Sequence, residues 1–311
     1  MNRRNRSFIF GVLLASLAAT AYGSSSGQKD TSVTDDSTLK NAEQSRFVQA
    51  IKERGYVRVG ISEAAPQQHL DPSTGNWVGV FPEFLSSWAK SLGVTVEYTN
   101  TTFAAMVVGV QSGIYDVAPD LTATDERRKA VNFTEPMLEE FGMYYVKKNP
   151  NLDSTEYYQH LNQSDKTICS VVGSPYQLVI DAGKLKLNAK ILKLPDYQSC
   201  NAALLAGRVV AVLYASSTAV PFIQANPSYA LLAPPKPLAV KPVTFAVSKE
   251  WTDKDLAPLN NAISKWKSSP DGMEAAHKRW GVVSPEPYMI KPVPSWASKV
   301  LGEMKLAPPK E

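Results

Sequence analysis

Two hydrophobic periods alternate along this chain. Residues 56–61 (YVRVGI) alternate apolar and polar in the manner of a strand, and residues 94–98 and 115–118 read the same way. Between the first two strands, Phe81, Phe84, Leu85, Trp88 and Leu92 recur at helical spacing, and Gly93 closes the run as a C-cap. A second helix is predicted over 103–111, ending at Gly113. A short helix at 47–53 precedes all of these. Strand–helix–strand–helix–strand at such lengths predicts parallel pairing with crossover helices. The pattern then repeats: strands at 142–147, 167–172, 190–194 and 209–213, helices at 177–182 and 200–206, with Gly207 standing where Gly113 stood. After a Pro-rich return at 231–242 come a strand at 243–247 and helices at 254–267 and 271–279.

The fold class this predicts is α/β: two Rossmann-like lobes joined by a two-stranded hinge. Lobe 1 takes residues 46–140 and 243–311, and lobe 2 takes 141–242. The chain crosses near 139–143 and returns near 241–244. The last thirty residues are Pro-rich, with a short helix at 296–303, and are expected to wrap one lobe. Open α/β lobes bind ligands at the carboxyl ends of their strands, so the cleft between lobes is the expected site, and a ligand held there stabilises the closed arrangement.

The first 45 residues fit neither period. Arg3, Arg4 and Arg6, an apolar run over 8–19 and the small residues Ala19 and Ala21 around Thr20 form a secretory signal over 1–21, too short to span a bilayer comfortably. Residues 22–45 are polar and read as a flexible tether. The 311-residue chain is 44% hydrophobic, enough for a real core, and its formal charge is +4. Residues 1–21 carry three Arg and no acid, so the exported part sits at +1. That balance argues against nucleic acid or an anionic membrane as partner. His69, His160 and His277 are scattered, with no metal-ligand spacing. No nucleophile elbow and no phosphate-binding Gly loop is present, so neither a cofactor nor a metal is expected.

The chemistry concentrates in residues 116–136, DVAPDLTATDERRKAVNFTEP. Thr124 is the expected N-cap of a short helix with Asp125 and Glu126 in its first turn. Thr122, Thr124 and Arg127 beside orphan helix N–H groups suit a small carboxylate. The alternative is a surface helix whose Arg side chains pair with Asp125 and Glu126.

This stretch resembles the signature of the bacterial extracellular solute-binding proteins of ABC importers, the amino-acid-binding family. The core D-[apolar]-x-x-x-x-[ST]-x-T-x-x-R and the block F-[ST]-x-P are matched by Asp116, Thr122, Thr124, Arg127 and Phe133-Thr134-Glu135-Pro136, with one residue fewer between Asp116 and Thr122. The resemblance covers roughly residues 46 to 281. It implies that Arg127 and Thr122 hold a ligand carboxylate and that the Phe103 ring packs against the ligand. It also implies that Cys169 and Cys200, which match V-C-x-x-x-G-S and Y-x-x-C-x-x-A-L in some members, form a disulfide. An oxidising compartment agrees with that pairing.

Lobe 2 departs from the pattern. Gly173-Ser174-Pro175-Tyr176 replaces G-[ST]-T, and Pro175 removes a backbone donor. Ala215 stands where an acid meets the ligand ammonium. Either Asp120 or Glu63 takes that task, or the ligand is an organic acid or modified amino acid without an α-ammonium. Ser174, Tyr176, Tyr214 and Ser216 are left to supply neutral hydrogen bonds and ring surface. The implied protein is a non-catalytic, monomeric periplasmic binding protein that carries a small carboxylate-bearing solute to an ABC permease. The rivals are an exported enzyme like the cyclohexadienyl dehydratases and a sensor that docks a receptor.

Overall fold

The computed structural model describes residues 45–238, 241–304 and 306. The expected signal segment, and the tether up to residue 44, lie outside the described residues. Ser45, read as the tether's last residue, is instead buried. Its side chain caps helix α1 (Arg46–Arg54) by accepting from Val48 N–H, and its hydroxyl donates to the Asp255 carbonyl.

The first lobe follows the expected alternation. Strand β1 (Tyr56–Ile61) leads through a small hairpin, β2 (His69–Leu70) and β3 (Trp77–Val78), into helix α2 (Val80–Ser91). Then come β4 (Thr95–Asn100), α3 (Phe103–Gln111) and β5 (Val117–Thr122). β1 pairs in parallel with β4 on one side and β5 on the other. Phe81, Phe84, Leu85 and Trp88, at the predicted helical spacing, are buried against Phe245, and Trp266 packs at the rim of that cluster. Asp116, which the signature places first, is structural. Its carboxylate accepts from Arg58 N–H at 2.8 Å and forms ion pairs with Arg54 and Arg58, fastening the start of β5 to β1.

Helix α4 (Asp125–Ala130) and short strands β6 (Asn132–Phe133) and β7 (Leu138–Glu140) lead to the second lobe. That lobe is built from β8 (Gly142–Lys147), α5 (Ser154–Leu161), β9 (Thr167–Val171), α6 (Pro175–Asp181), β10 (Lys190–Leu194), α7 (Tyr197–Leu205), β11 (Ala211–Ala215), α8 (Ala219–Ala225) and β12 (Tyr229–Leu232). Its strand order is β10-β9-β11-β8-β12. β13 (Lys241–Val247) returns to the first lobe, whose order is β4-β1-β5-β13-β6. The sheets are alike: three parallel strands followed by one antiparallel strand, β8 or β13, that arrives from a crossing. The crossings pair with each other, Glu140 opposite Lys241 and Leu138 opposite Val243, which makes the hinge a two-stranded ribbon.

Cys169, on the interior strand β9, and Cys200, on α7, are joined in the structure with Cα atoms 5.7 Å apart, and both are buried.

The tail corrects the expected lobe boundary. Helices α9 (Asp253–Ser268) and α10 (Met273–Trp280) pack on lobe 1, and Val282 ends in its core. From there the chain crosses a third time. Met289 bridges Leu231 at the outer edge of β12, Ile290 N–H donates to the Leu231 carbonyl, and Ser154 Oγ donates to the Pro292 carbonyl. Helix α11 (Ser295–Met304) sets Trp296 edge-on to Phe141 and buries Ala297 and Leu301. Residues 289–301 therefore cover lobe 2, while Glu303 and Met304 line a pocket with Met137 and Val282 of lobe 1. The physical reason is that β12 is an edge strand with buried residues throughout, and its open edge and apolar face need a cover that the tail's apolar residues supply.

Candidate functional site

Both cleft walls are built by the same local device, a strand that ends in a tight turn and a capped helix. On lobe 1, β5 runs four residues past its predicted end and carries Asp120 and Thr122 to the cleft. Asp120 has φ 59°, and it is the one non-glycine residue among those described with positive φ. Opposite it, β13 slips register between Thr244 and Ala246. Aspartate tolerates left-handed backbone better than bulkier residues, and strain of this kind gathers at functional sites. Thr124 caps α4 by accepting from Arg127 N–H at 3.2 Å, as the sequence predicts.

Arg127 is buried, so the surface-helix alternative does not hold. Its Nη1 donates to the Thr122 carbonyl at 2.9 Å and its Nη2 to the Gly173 carbonyl of lobe 2 at 2.6 Å. Glu126 pairs with Lys129 instead. On lobe 2, Gly173 takes φ 76°, Ser174 caps α6 by accepting from Gln177 N–H, and Pro175 fills the first helical position, where no donor is needed. A Cβ on Gly173 would sit 3.1 Å from Ala104 N in lobe 1. The closed lobes meet at that point.

Phe103, Asp120, Thr122, Ser174, Tyr176 and Tyr214 line one cavity between the lobes. Its volume is about 20 Å³, room for little more than one water, so a larger occupant must hold the lobes further apart. Tyr214 stacks on Tyr197 with centroids 4.6 Å apart and meets Tyr176 edge-on. Glu63 is not brought there. Its carboxylate accepts Leu70 N–H at 2.8 Å in the loop before the β2–β3 hairpin. Ser216 also serves structure, accepting from Phe141 N–H at the crossing.

Sequence reasoning missed Glu140. It ends β7 in the hinge, is buried, and lines the same cavity. Tyr176 OH donates to its Oε1 at 3.2 Å and Ser217 Oγ to its Oε2 at 2.8 Å. The available signal was an acid, Glu140, in the extended crossing directly before the apolar strand Gly142–Lys147.

The site's electrostatics follow from burial. Asp120 is pushed well above the usual carboxylate range by burial first and by the Glu140 charge second, with Arg127 opposing. Burial raises Glu140 too, against the hydrogen bonds from Ser217 and Tyr176 and the charge of Arg127. Burial lowers Arg127 to about 10, so it stays charged at neutral pH. Tyr176 and Tyr214 are raised well above 10, by burial first, and remain neutral phenols. Two carboxyls thus face one guanidinium. No group of three His, Cys, Asp or Glu suited to a metal occurs among the described residues.

The family model for bacterial extracellular solute-binding proteins, family 3, matches residues 57–282. The chain belongs to that family. The family and fold are those of non-catalytic solute-binding proteins. A probable histidine-binding protein of Campylobacter jejuni is 30% identical over 157 residues, 48% of this chain and 56% of that one. The chain spans about half the length of the curated relatives it matches. Among solved structures, a mutant of ArgBP from T. maritima superposes with a TM-score of 0.66 at 26% identity, over 76% of this chain and 99% of the other. The ancestral amino acid-binding protein AncCDT-1, a precursor of cyclohexadienyl dehydratase, gives 0.65 at 25% identity with the same coverage. The two lobes and the paired hinge are thus a periplasmic-binding-protein architecture of the second type.

Proposed function

We propose that this protein is exported through a cleaved signal, works as a monomer in the periplasm with Cys169 and Cys200 bridged, and delivers a small amino acid or amino-acid derivative to an ABC permease. The observation that carries the ligand class is Arg127. It lies buried in the cleft and reaches from lobe 1 to a lobe 2 carbonyl, which a ligand carboxylate can replace with a stronger, charge-assisted partner. Such a ligand would bridge the lobes through the same guanidinium. The relatives that bind histidine, cystine, arginine or lysine by name support the amino-acid class. The sequence-based alternative of a ligand without an α-ammonium rested on Ala215 and Pro175. It weakens once Asp120 lies in the cavity with Glu140 beside it.

A thermal-shift screen of amino acids, amines and small organic acids tests the proposal, because a ligand that prefers the native state raises Tm. Stabilisation by a carboxylate-bearing member, lost in Arg127→Ala, is the expected result. Stabilisation that survives Arg127→Ala would move the site elsewhere.

A further inference from the structure

The sequence offered Asp120 or Glu63 for the cleft, and the structure supplies Asp120 together with Glu140. Asp120 comes from the end of β5 and Glu140 from the hinge strand β7, and both line the cavity. Arg127 does not satisfy them. Its two terminal nitrogens donate to the Thr122 and Gly173 carbonyls, and no hydrogen bond links it to either acid. Glu140 takes two neutral donors, Tyr176 OH and Ser217 Oγ. Asp120 takes none from any described residue. Two further polar groups in the same cavity are also without hydrogen-bond partners among the described residues: the Thr122 hydroxyl, on a side chain 2% exposed, and the Tyr214 hydroxyl, on one 4% exposed. All three side chains line the cavity with hydrogen-bonding capacity that no described residue uses, which leaves it to a polar occupant.

We infer that Asp120 and Glu140 form a proton-exchanging seat for a cationic nitrogen: before binding the pair holds one proton, and a ligand with both a carboxylate and a cationic nitrogen displaces it. This rests on the solute-binding reading above and narrows its ligand class.

The charges facing the pair are few. Arg127 on α4 is the one cation, and Tyr176 on α6 and Tyr214 on β11 are neutral phenols. With one cation against two acids in a narrow cleft, a shared proton removes the second negative charge, as happens where like charges crowd one site. Burial and the neighbouring Glu140 together make Asp120 the acid that holds it. When an ammonium, imidazolium or guanidinium nitrogen enters, Asp120 gives its proton to solvent and becomes the carboxylate partner of that nitrogen. Thr122 and Tyr214 supply hydroxyl oxygens beside it. The ligand carboxylate takes the place of the Gly173 carbonyl on Arg127. Atoms and charge balance: one cationic group is bound and one proton leaves. Affinity therefore rises with pH across the range where the pair titrates, by at most about tenfold per pH unit for one proton. The arrangement differs from an acid on the lobe 2 wall, because both carboxyls belong to lobe 1 and the hinge.

Titration calorimetry on the full exported chain tests this. The probes are the twenty standard amino acids and their nitrogen-free counterparts, such as propionate for alanine and hexanoate for lysine. Each is run near neutral pH in phosphate and in Tris, two buffers with different ionisation enthalpies. The expected result is that a nitrogen-bearing probe binds at least tenfold tighter than its nitrogen-free counterpart. Its heat should differ between buffers by the amount that roughly 0.5 to 1 released proton requires. Glu140→Gln removes one acid, so it should weaken binding and bring proton release close to zero. Asp120→Asn should do the same, and circular dichroism checks that both variants fold. A bound amino acid whose heat is independent of buffer overturns the inference, as does tighter binding of the nitrogen-free acids. The latter leaves the solute-binding reading intact. Failure of every probe of both kinds overturns that reading along with the inference.

Discussion

The two cleft walls use one backbone plan for different chemistry. At the end of β5, Thr124 caps a helix beside a left-handed Asp120. At the end of β9, Ser174 caps a helix beside a left-handed Gly173. Lobe 1 fills this frame with charge, Asp120 and Arg127. Lobe 2 fills it with Pro175, Tyr176 and Tyr214, which bring ring surface and neutral hydroxyls. The second acid comes from neither wall but from the hinge. Glu140 sits on the paired crossing strands between the lobes, opposite Lys241. A site can therefore lose an acid from one wall and keep the electrostatic task, provided another buried position faces the same point.

The lobes also differ in how they are held together. Lobe 1 closes its core with helices that follow β13, whereas lobe 2 relies on a tail from the far end of the chain. Truncation after residue 285 is the harshest test of that difference. It removes the buried Met289 and Leu301 and uncovers Phe141 and the edge of β12, a loss of roughly 5 kcal/mol at 1.5–3 kcal/mol per buried large side chain. Calorimetry should show lobe 2 melting as a separate transition below lobe 1. A single transition at the full-length temperature would assign the tail no part in lobe 2.

Next in size is the bridge, which lies entirely within lobe 2. Cys169 and Cys200 are 31 residues apart, and a loop of that length is worth about 3.7 kcal/mol on the chain-entropy model. Replacing both by Ala should lower the stability of lobe 2 by that amount and leave ligand affinity within about twofold. Two alkylatable thiols in the native exported protein would remove the premise.

The lobes were legible in the sequence because strand and helix periods are local. Gly113 and Gly207 mark matching turns, and the buried faces of α2 and β1 follow from spacing alone. Thr124 as cap was legible for the same reason, since a cap and its helix are a few residues apart, whereas spacing left Arg127 open between surface and cleft and only the family resemblance pointed it to the cleft. What stayed hidden depends on packing between distant segments. Glu140 is one of two adjacent acids in an extended crossing, and nothing local says that Tyr176 and Ser217 will close over it. Glu63 has the right character for a cleft acid, but the Leu70 amide takes its carboxylate. The tail's choice of lobe depends on the edge of β12, over fifty residues upstream.

Third is the clamp on the charged wall. Arg127→Lys keeps the charge and loses the planar fork that reaches Thr122 and Gly173 at once. Ligand affinity should fall at least tenfold, about 1.4 kcal/mol, with the fold intact by circular dichroism. The wild-type value in calorimetry would make the guanidinium a structural strut between lobes rather than a ligand clamp.

The smallest effect separates the walls most cleanly. Thr124 and Ser174 make the same bond, each accepting a helix N–H at 3.2 Å. Replacing either by Ala should cost about 1 kcal/mol of stability, the usual worth of an N-cap. As caps they are equivalent, and chemical denaturation should not tell the two variants apart. Their surroundings differ. Ser174 lines the cavity and Thr124 does not. The Ser174 hydroxyl accepts the Gln177 N–H and keeps its own proton free to donate to a ligand. Ser174→Ala should therefore weaken binding by a further few-fold, while Thr124→Ala leaves affinity near wild type apart from any loosening of Arg127. If both variants weaken binding equally, lobe 2 contributes only shape at this position, and the polar recognition rests on lobe 1 and the hinge.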